Sequence, residues 1–252
     1  MLVVLLTALG VGGATAIGAI LGLIVKRPSH KFNDGILSFA GGVMLCAAVV
    51  GLIIPSIDQN NLWSIAVTVG GVFVGAICLN LIDKLVPHLH KLTGVELENH
   101  PDRGNKLSRV LLFVIAIAIH NFPEGIAAGV GFATGNETQA LIVAGGIALQ
   151  NIPEGMVIIT PMLLAGISKK RTVLIALLTG LVEVIGTFIG YFAGTISSVI
   201  LPFALAFAGG TMLYVVSDEM IPETHAHGNE RLATYTLLVG FCVMLVFDFL
   251  LG

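Results

Sequence analysis

Charged side chains are scarce in this chain. Asp, Glu, Lys and Arg make up 11% of its 252 residues, less than half of the roughly 25% usual in a soluble domain, so a water-soluble globular fold is excluded. Cysteine is also rare: Cys46, Cys78 and Cys242 are the only three, each inside an apolar stretch, with no Cys-x-x-Cys pair. A disulfide framework and a thiolate zinc cage are thereby ruled out, and the three read as small core residues. Long polar tracts are missing too. The longest hydrophilic interruption runs over residues 87–106, too short for a second domain. The 12 basic residues form no patch apart from the short connections, which argues against nucleic acid as a partner.

Hydrocarbon fills the chain instead, with 56% hydrophobic residues and a mean hydropathy of +0.99. Apolar runs able to span about 30 Å of lipid lie at 2–25, 34–56, 62–86, 107–133, 138–164, 171–195, 199–221 and 232–251. The expected fold is all-α and polytopic, one membrane domain over 1–252 with eight transmembrane helices and a lipid bilayer around it. Lys26, Arg27 and Lys31 fall between helices 1 and 2, and Lys84, Lys91, Arg103, Lys106 and Arg109 flank the connection of 3 to 4. Lys169, Lys170 and Arg171 lie between 5 and 6, and Arg231 precedes helix 8. All of them map to one face, which is expected to be cytoplasmic, with the N- and C-termini outside a cell inner (plasma) membrane. Residues 87–106 then form a cytoplasmic loop.

The sequence repeats itself. Ser38-Phe39-Ala40-Gly41-Gly42-Val43-Met44-Leu45 in helix 2 returns as Ala206-Phe207-Ala208-Gly209-Gly210-Thr211-Met212-Leu213 in helix 7, and Ile54-Pro55 returns as Ile221-Pro222. Helices 2 and 7 run in opposite directions under this topology. A shared sequence in antiparallel spans marks an inverted repeat of helices 1–3 and 6–8, with a binding site near the midplane between them.

Polar groups interrupt the hydrocarbon in a second repeat. His120-Asn121-Phe122-Pro123-Glu124-Gly125 in helix 4 matches Gln150-Asn151-Ile152-Pro153-Glu154-Gly155 in helix 5. An ionised side chain at the bilayer centre costs at least about 2.5–3.5 kcal/mol, so two in one frame signal function. His120 and Glu124 are four residues apart and share a helix face, as do Gln150 and Glu154. Pro123 cannot donate to the carbonyl of Ile119, nor Pro153 to that of Leu149, which exposes two further acceptors. Glu183 is a third carboxylate deep in helix 6, and no Lys or Arg lies within the spans to pair with it. Carboxylates, an imidazole and amides suit Zn²⁺, Fe²⁺, Mn²⁺ or Cd²⁺ better than Ca²⁺ or Mg²⁺. Met44 reads either as a thioether contact from helix 2 or as core filler. On the cytoplasmic side, His88, His90, His100, His225 and His227, with Asp218, Glu219 and Glu223, form either an exit and sensing set or a solvated rim.

These residues resemble the ZIP (Zrt/Irt-like) divalent metal transporters, especially the bacterial GufA-like branch, through the paired hexapeptides, the eight spans and the polar loop after helix 3. The resemblance implies a 3+2+3 helical arrangement that dimerises, and uptake of Zn²⁺ and related metals into the cytoplasm. It implies one metal subsite of Met44, His120, Glu124, Gln150 and Glu154. A second would comprise Asn121, Glu124, Asn151, Glu154 and Glu183, with the two glutamates bridging. Many relatives have histidine in place of Gln150, and some have aspartate in place of Asn151. A neutral amide is the poorer ligand, which broadens the expected selectivity toward Mn²⁺ or Fe²⁺.

The function expected from the sequence is therefore import of divalent metal by alternating access, with no enzymatic activity and no resident cofactor besides the transported ion. Two rivals stand beside it: a proton- or sodium-translocating carboxylate pump, and an intramembrane metalloenzyme, which lacks any HExxH or ExxH pair to support it.

Overall fold

A computed structural model describes residues 1–25, 29–58, 60–85, 103–164, 166–197 and 199–252, with backbone only for 83, 85 and 103–116. Eight long helices follow one another: α1 Leu2–Ile24, α2 His30–Cys46, α3 Leu62–Leu85, α4 Arg103–Ala133, α5 Glu137–Leu164, α6 Lys169–Ile196, α7 Leu201–Val215 and α8 Glu230–Leu251. Their limits fall close to the apolar runs. Residues 86–102, with His88, His90 and His100, lie outside the described residues.

Two helices share an uncommon ending. α2 continues through a π-helical segment Ala47–Ile53 into a 3-10 turn Ile54–Ser56, and α7 through a π-helical segment Val216–Met220 into a short helix Ile221–Thr224. Proline explains both. Pro55 and Pro222 carry no N–H and crowd the carbonyl four residues back, and widening the helix by one residue relieves that conflict. The amides of Ile54 and Ile221 accordingly donate to the carbonyls of Val49 and Val216, five residues upstream.

α1, α2, α3, α5, α6, α7 and α8 are each long and apolar enough to cross a bilayer when the extensions of α2 and α7 are counted. Their outward faces carry large hydrophobic side chains such as Trp63, Phe73, Ile185 and Phe249, whereas carboxylates and amides are turned inward. Polar inside and apolar outside is the arrangement that lipid demands. The molecule is an all-helical polytopic membrane protein.

Helix packing follows a pattern. α4 packs most extensively on α6, and α1 on α5; α2 packs on α8, and α3 on α7. Each pairing turns into another pairing when α1 is exchanged for α6, α2 for α7, α3 for α8 and α4 for α5. Within these pairs the backbones nearly touch. A Cβ on Gly125 would strike the Glu183 carbonyl, one on Gly155 the Thr15 carbonyl, and one on Gly42 the Leu237 carbonyl. Where a glycine faces across from the α1/α4/α5/α6 group to the other four helices, it meets a side chain instead, as where Gly51 meets Val143 and Gly146 meets Met244.

Candidate metal centre

The first candidate residues come from two helices that carry proline in mid-span without being broken by it, Pro123 in α4 and Pro153 in α5. Glu124 follows Pro123 and is 1% exposed; Gln150 and Asn151 precede Pro153 and are 0% and 1% exposed. Glu183, at 0%, projects from α6. Close approach at Gly125 brings α6 against α4 at Glu183 itself, so the carboxyls of Glu124 and Glu183 lie side by side.

One amide holds this corner together. Asn151 Nδ2 donates to Glu183 Oε1 at 2.6 Å and to the backbone carbonyl of Val11 at 3.2 Å. A hydrogen bond to a charged acceptor contributes about 1.5–3 kcal/mol. The bond also fixes the amide's orientation, since its nitrogen is used and its oxygen is left over. Asn151 Oδ1, Glu183 Oε2, both oxygens of Glu124, both polar atoms of Gln150 and Asn121 Nδ2 are buried without a hydrogen-bond partner among the described residues. Gln150 lies beside Glu124 but closes no hydrogen bond of good geometry with it.

Glu154 is partly buried, within electrostatic reach of Glu124, His120 and Glu219. His120 meets Glu219 directly, Nε2 to Oε2 at 2.8 Å. Glu219, expected from the sequence at an inner mouth, thus comes from the π-helical end of α7 to the His120 imidazole on α4. Next to it a chain of hydrogen bonds runs from Asn80 Nδ2 to Tyr214 Oη at 2.7 Å and from Tyr214 Oη to Asp218 Oδ2 at 3.1 Å.

Other candidates have neighbours of their own. Met44 is wholly buried in the main apolar cluster with Val43, Ala127, Ala128 and Ile147. His225 is held by the Ile221 carbonyl and by Thr224 and Thr234. His227 bonds the buried Asp34 at 2.9 Å and stacks beside His30, and Asn229 also donates to Asp34. Glu223 is half-buried close to this loop. Asp34, Tyr214 and Asn80 were missed from the sequence. An acid placed singly in the first apolar turns of a span was the available signal for Asp34.

Can these residues hold a cation? Two adjacent buried carboxyls repel one another unless a positive charge or a proton lies between them, and no Lys or Arg occurs between Arg109 and Lys169 or between Arg171 and Arg231. The unpartnered atoms are mostly oxygens, the donor type that a divalent ion takes from carboxylates and amides. Among the described residues no three His, Cys, Asp or Glu side chains close around one point. The buried amide oxygens of Gln150 and Asn151 stand beside these carboxylates as further unpartnered acceptors among the described residues.

Apolar helices closed around uncompensated carboxylates and oriented amides define a polytopic membrane protein with a cation-handling interior. The chain belongs to the family described as ZIP Zinc transporter, whose model matches residues 93–248. It is 41% identical to the zinc transporter GufA of Myxococcus xanthus over 254 residues, covering 98% of both chains. It is 36% identical to the zinc transporter ZIPB of Bordetella bronchiseptica, covering 95% of this chain and 78% of that one. Identity to the zinc transporter ZupT of Chlorobaculum parvum is 34%, over 93% of this chain and 92% of the other.

Proposed function

We infer that this protein imports Zn²⁺, and with it Fe²⁺, Mn²⁺ and Cd²⁺, from outside the cell to the cytoplasm. The observation that carries the reading is the buried Glu124–Glu183 pair with its unpartnered oxygens in a span free of basic residues. The relatives named above, all zinc transporters, support the choice of ion. The ion loses water to Glu124 and Glu154, which bridge a subsite of Met44, His120 and Gln150 and a subsite of Asn121, Asn151 and Glu183. It leaves past Glu219 and Asp218 toward Glu223, His225 and His227 and the loop histidines His88, His90 and His100. Each carboxylate must be deprotonated and the imidazole neutral to bind, so uptake is accompanied by proton release at the site.

Transport proceeds by alternating access. The exchange pattern among helix pairs supports an inverted repeat of α1–α3 and α6–α8 around α4 and α5, the 3+2+3 arrangement, and such repeats interconvert inward and outward states. Backbone-close packing unites α1, α4, α5 and α6, so this group moves as a body against α2, α3, α7 and α8 along a side-chain interface. The protein resides in the inner membrane as a homodimer, its basic connections and the 87–106 loop in the cytoplasm and both termini outside.

Zinc uptake into proteoliposomes tests the reading. Glu154→Ala is expected to lower initial uptake by about 10–100-fold, the range in which weakening a metal site's ligand support acts; wild-type flux in this variant removes Glu154 from the path. A pH or sodium gradient applied without metal is expected to drive no charge movement.

Glu219→Gln probes the contact with His120. Uptake at saturating zinc is expected to fall about tenfold, because the carboxylate that orients the imidazole and tunes its basicity is gone. Undiminished maximal uptake would show that the 2.8 Å contact plays no part in turnover.

A further inference from the structure

Two consecutive carboxylates at the π-helical end of α7 engage different partners. Glu219 meets His120 of α4, Oε2 to Nε2 at 2.8 Å. Asp218 points elsewhere, because neighbouring residues of a helix are splayed by about 100° in an α turn and by somewhat less in the wider π turn. Its Oδ2 accepts from Tyr214 Oη at 3.1 Å, and Tyr214 Oη accepts in turn from Asn80 Nδ2 of α3 at 2.7 Å. Glu219 thus touches the α1/α4/α5/α6 group, while Asp218 is tied within the group of α2, α3, α7 and α8.

Chemistry sets the direction of this chain. An ionised carboxylate only accepts, so the single phenol proton goes to Asp218 and the Asn80 amide turns its nitrogen to the phenol oxygen. A hydroxyl that accepts one bond donates the next more strongly. Asp218 Oδ1 takes no hydrogen bond among the described residues, and the residue is exposed. Helix packing does not depend on the chain, since α3 and α7 already meet backbone to backbone. A Cβ on Gly75 would strike the Phe207 carbonyl, and one on Gly210 the Val72 carbonyl. Asn80 and Tyr214 lie past that contact, toward the end where Asp218 is exposed.

We propose that Tyr214, directed by Asn80, is a positioning residue for ion release: it fastens one oxygen of Asp218 to the α3/α7 pair and leaves the other as a fixed acceptor for the ion departing from His120 and Glu219. This inference rests on the proposed transport function. A carboxylate already held in place gives up little rotamer freedom when the ion arrives. It also keeps its position when α4 moves, whereas Glu219 has to part from His120. Being exposed, Asp218 offers the ion water along with its one oxygen, which favours passage over retention.

Initial rates of Zn²⁺ uptake into proteoliposomes test this in the full chain. Tyr214→Phe removes a single oxygen atom; maximal uptake is expected to fall about tenfold with KM for Zn²⁺ unchanged, as on loss of a partner that orients a metal ligand. Asn80→Asp keeps the size of the side chain and reverses its hydrogen bonding. The new acceptor competes for the phenol proton, so Asp218 is released while α3 and α7 stay linked. Maximal uptake is expected to fall to the same degree, with the thermal midpoint unchanged. A clasp serving only to join two helices would survive that change, so wild-type uptake by Asn80→Asp overturns the proposal. Asp218→Asn and the double variant Tyr214→Phe/Asp218→Asn are expected to transport equally, because the phenol acts only through the carboxylate; losses that multiply in the double variant also overturn it. Wild-type maximal uptake by Tyr214→Phe does the same, and the Asn80→Asp result decides the matter if that variant is not monodisperse in detergent. Absence of Zn²⁺ uptake by the wild-type protein would instead bring down the transport reading itself.

Discussion

Zinc uptake by Glu124→Gln is expected to fall to the background of empty liposomes, a loss beyond the roughly 100-fold that follows removal of a mere supporting partner of a metal ligand. Both oxygens of Glu124 are buried without hydrogen-bond partners among the described residues, and the carboxyl stands against Glu183. The substitution keeps the volume and removes the charge. The same change is expected to raise, or leave unchanged, the thermal midpoint of the metal-free protein, since one of two mutually repelling buried carboxyls is gone and an intramembrane charge is costly by about 2.5–3.5 kcal/mol at the least. Activity lost together with a lowered midpoint would indicate a structural role for Glu124. Added zinc is expected to stabilise the wild type, as any ligand confined to the folded state does, and to leave the variant's midpoint where it was.

The second large effect concerns backbone contact. Gly125→Val should prevent accumulation of folded protein, because its Cβ would overlap the Glu183 carbonyl carbon and oxygen, and neither backbone can yield without prising α4 from α6. Overpacking of this kind costs about 1–3 kcal/mol where side chains can adjust, and more where they cannot. Gly145→Ala, on α5, supplies the contrast. No atom lies within 4 Å of its added Cβ, so alanine's better helix propensity should leave yield and thermal midpoint equal or higher, by up to about 1 kcal/mol. Size-exclusion profiles of the two variants in detergent separate the cases. Wild-type behaviour from Gly125→Val would mean that α4 and α6 do not meet at Glu183.

Much of this was legible in the sequence because lipid imposes strict rules. The eight spans follow from length and hydropathy alone, and their observed limits, with the extensions of α2 to Ser56 and α7 to Thr224 counted, differ from the apolar runs by at most four residues, as at His30 and Arg103. The polar centre was legible for the opposite reason: His120, Glu124, Gln150, Glu154 and Glu183 stand out against hydrocarbon. What escaped was pairing between distant helices. Nothing local tells that Glu219 meets His120, or that Tyr214 links Asn80 to Asp218. The repeat of helices 1–3 and 6–8 was expected, but the residue register between α1 and α6, Gly12 with Gly180 and Gly18 with Gly186, escaped. It survives in glycine spacing and in the pattern of burial, while the residue types between the glycines have diverged, and burial is not visible before the chain is folded.

Asn151 sits where three helices meet. Through one side-chain nitrogen it fastens the Val11 carbonyl of α1 to the Glu183 carboxylate of α6, from its own position on α5. Three helices are pinned by a group that also presents an oxygen to the cavity. Shear within the α1/α5/α6 trio would tear this pin, and shear along its outer faces would not. Motion of the trio as one body leaves that link whole.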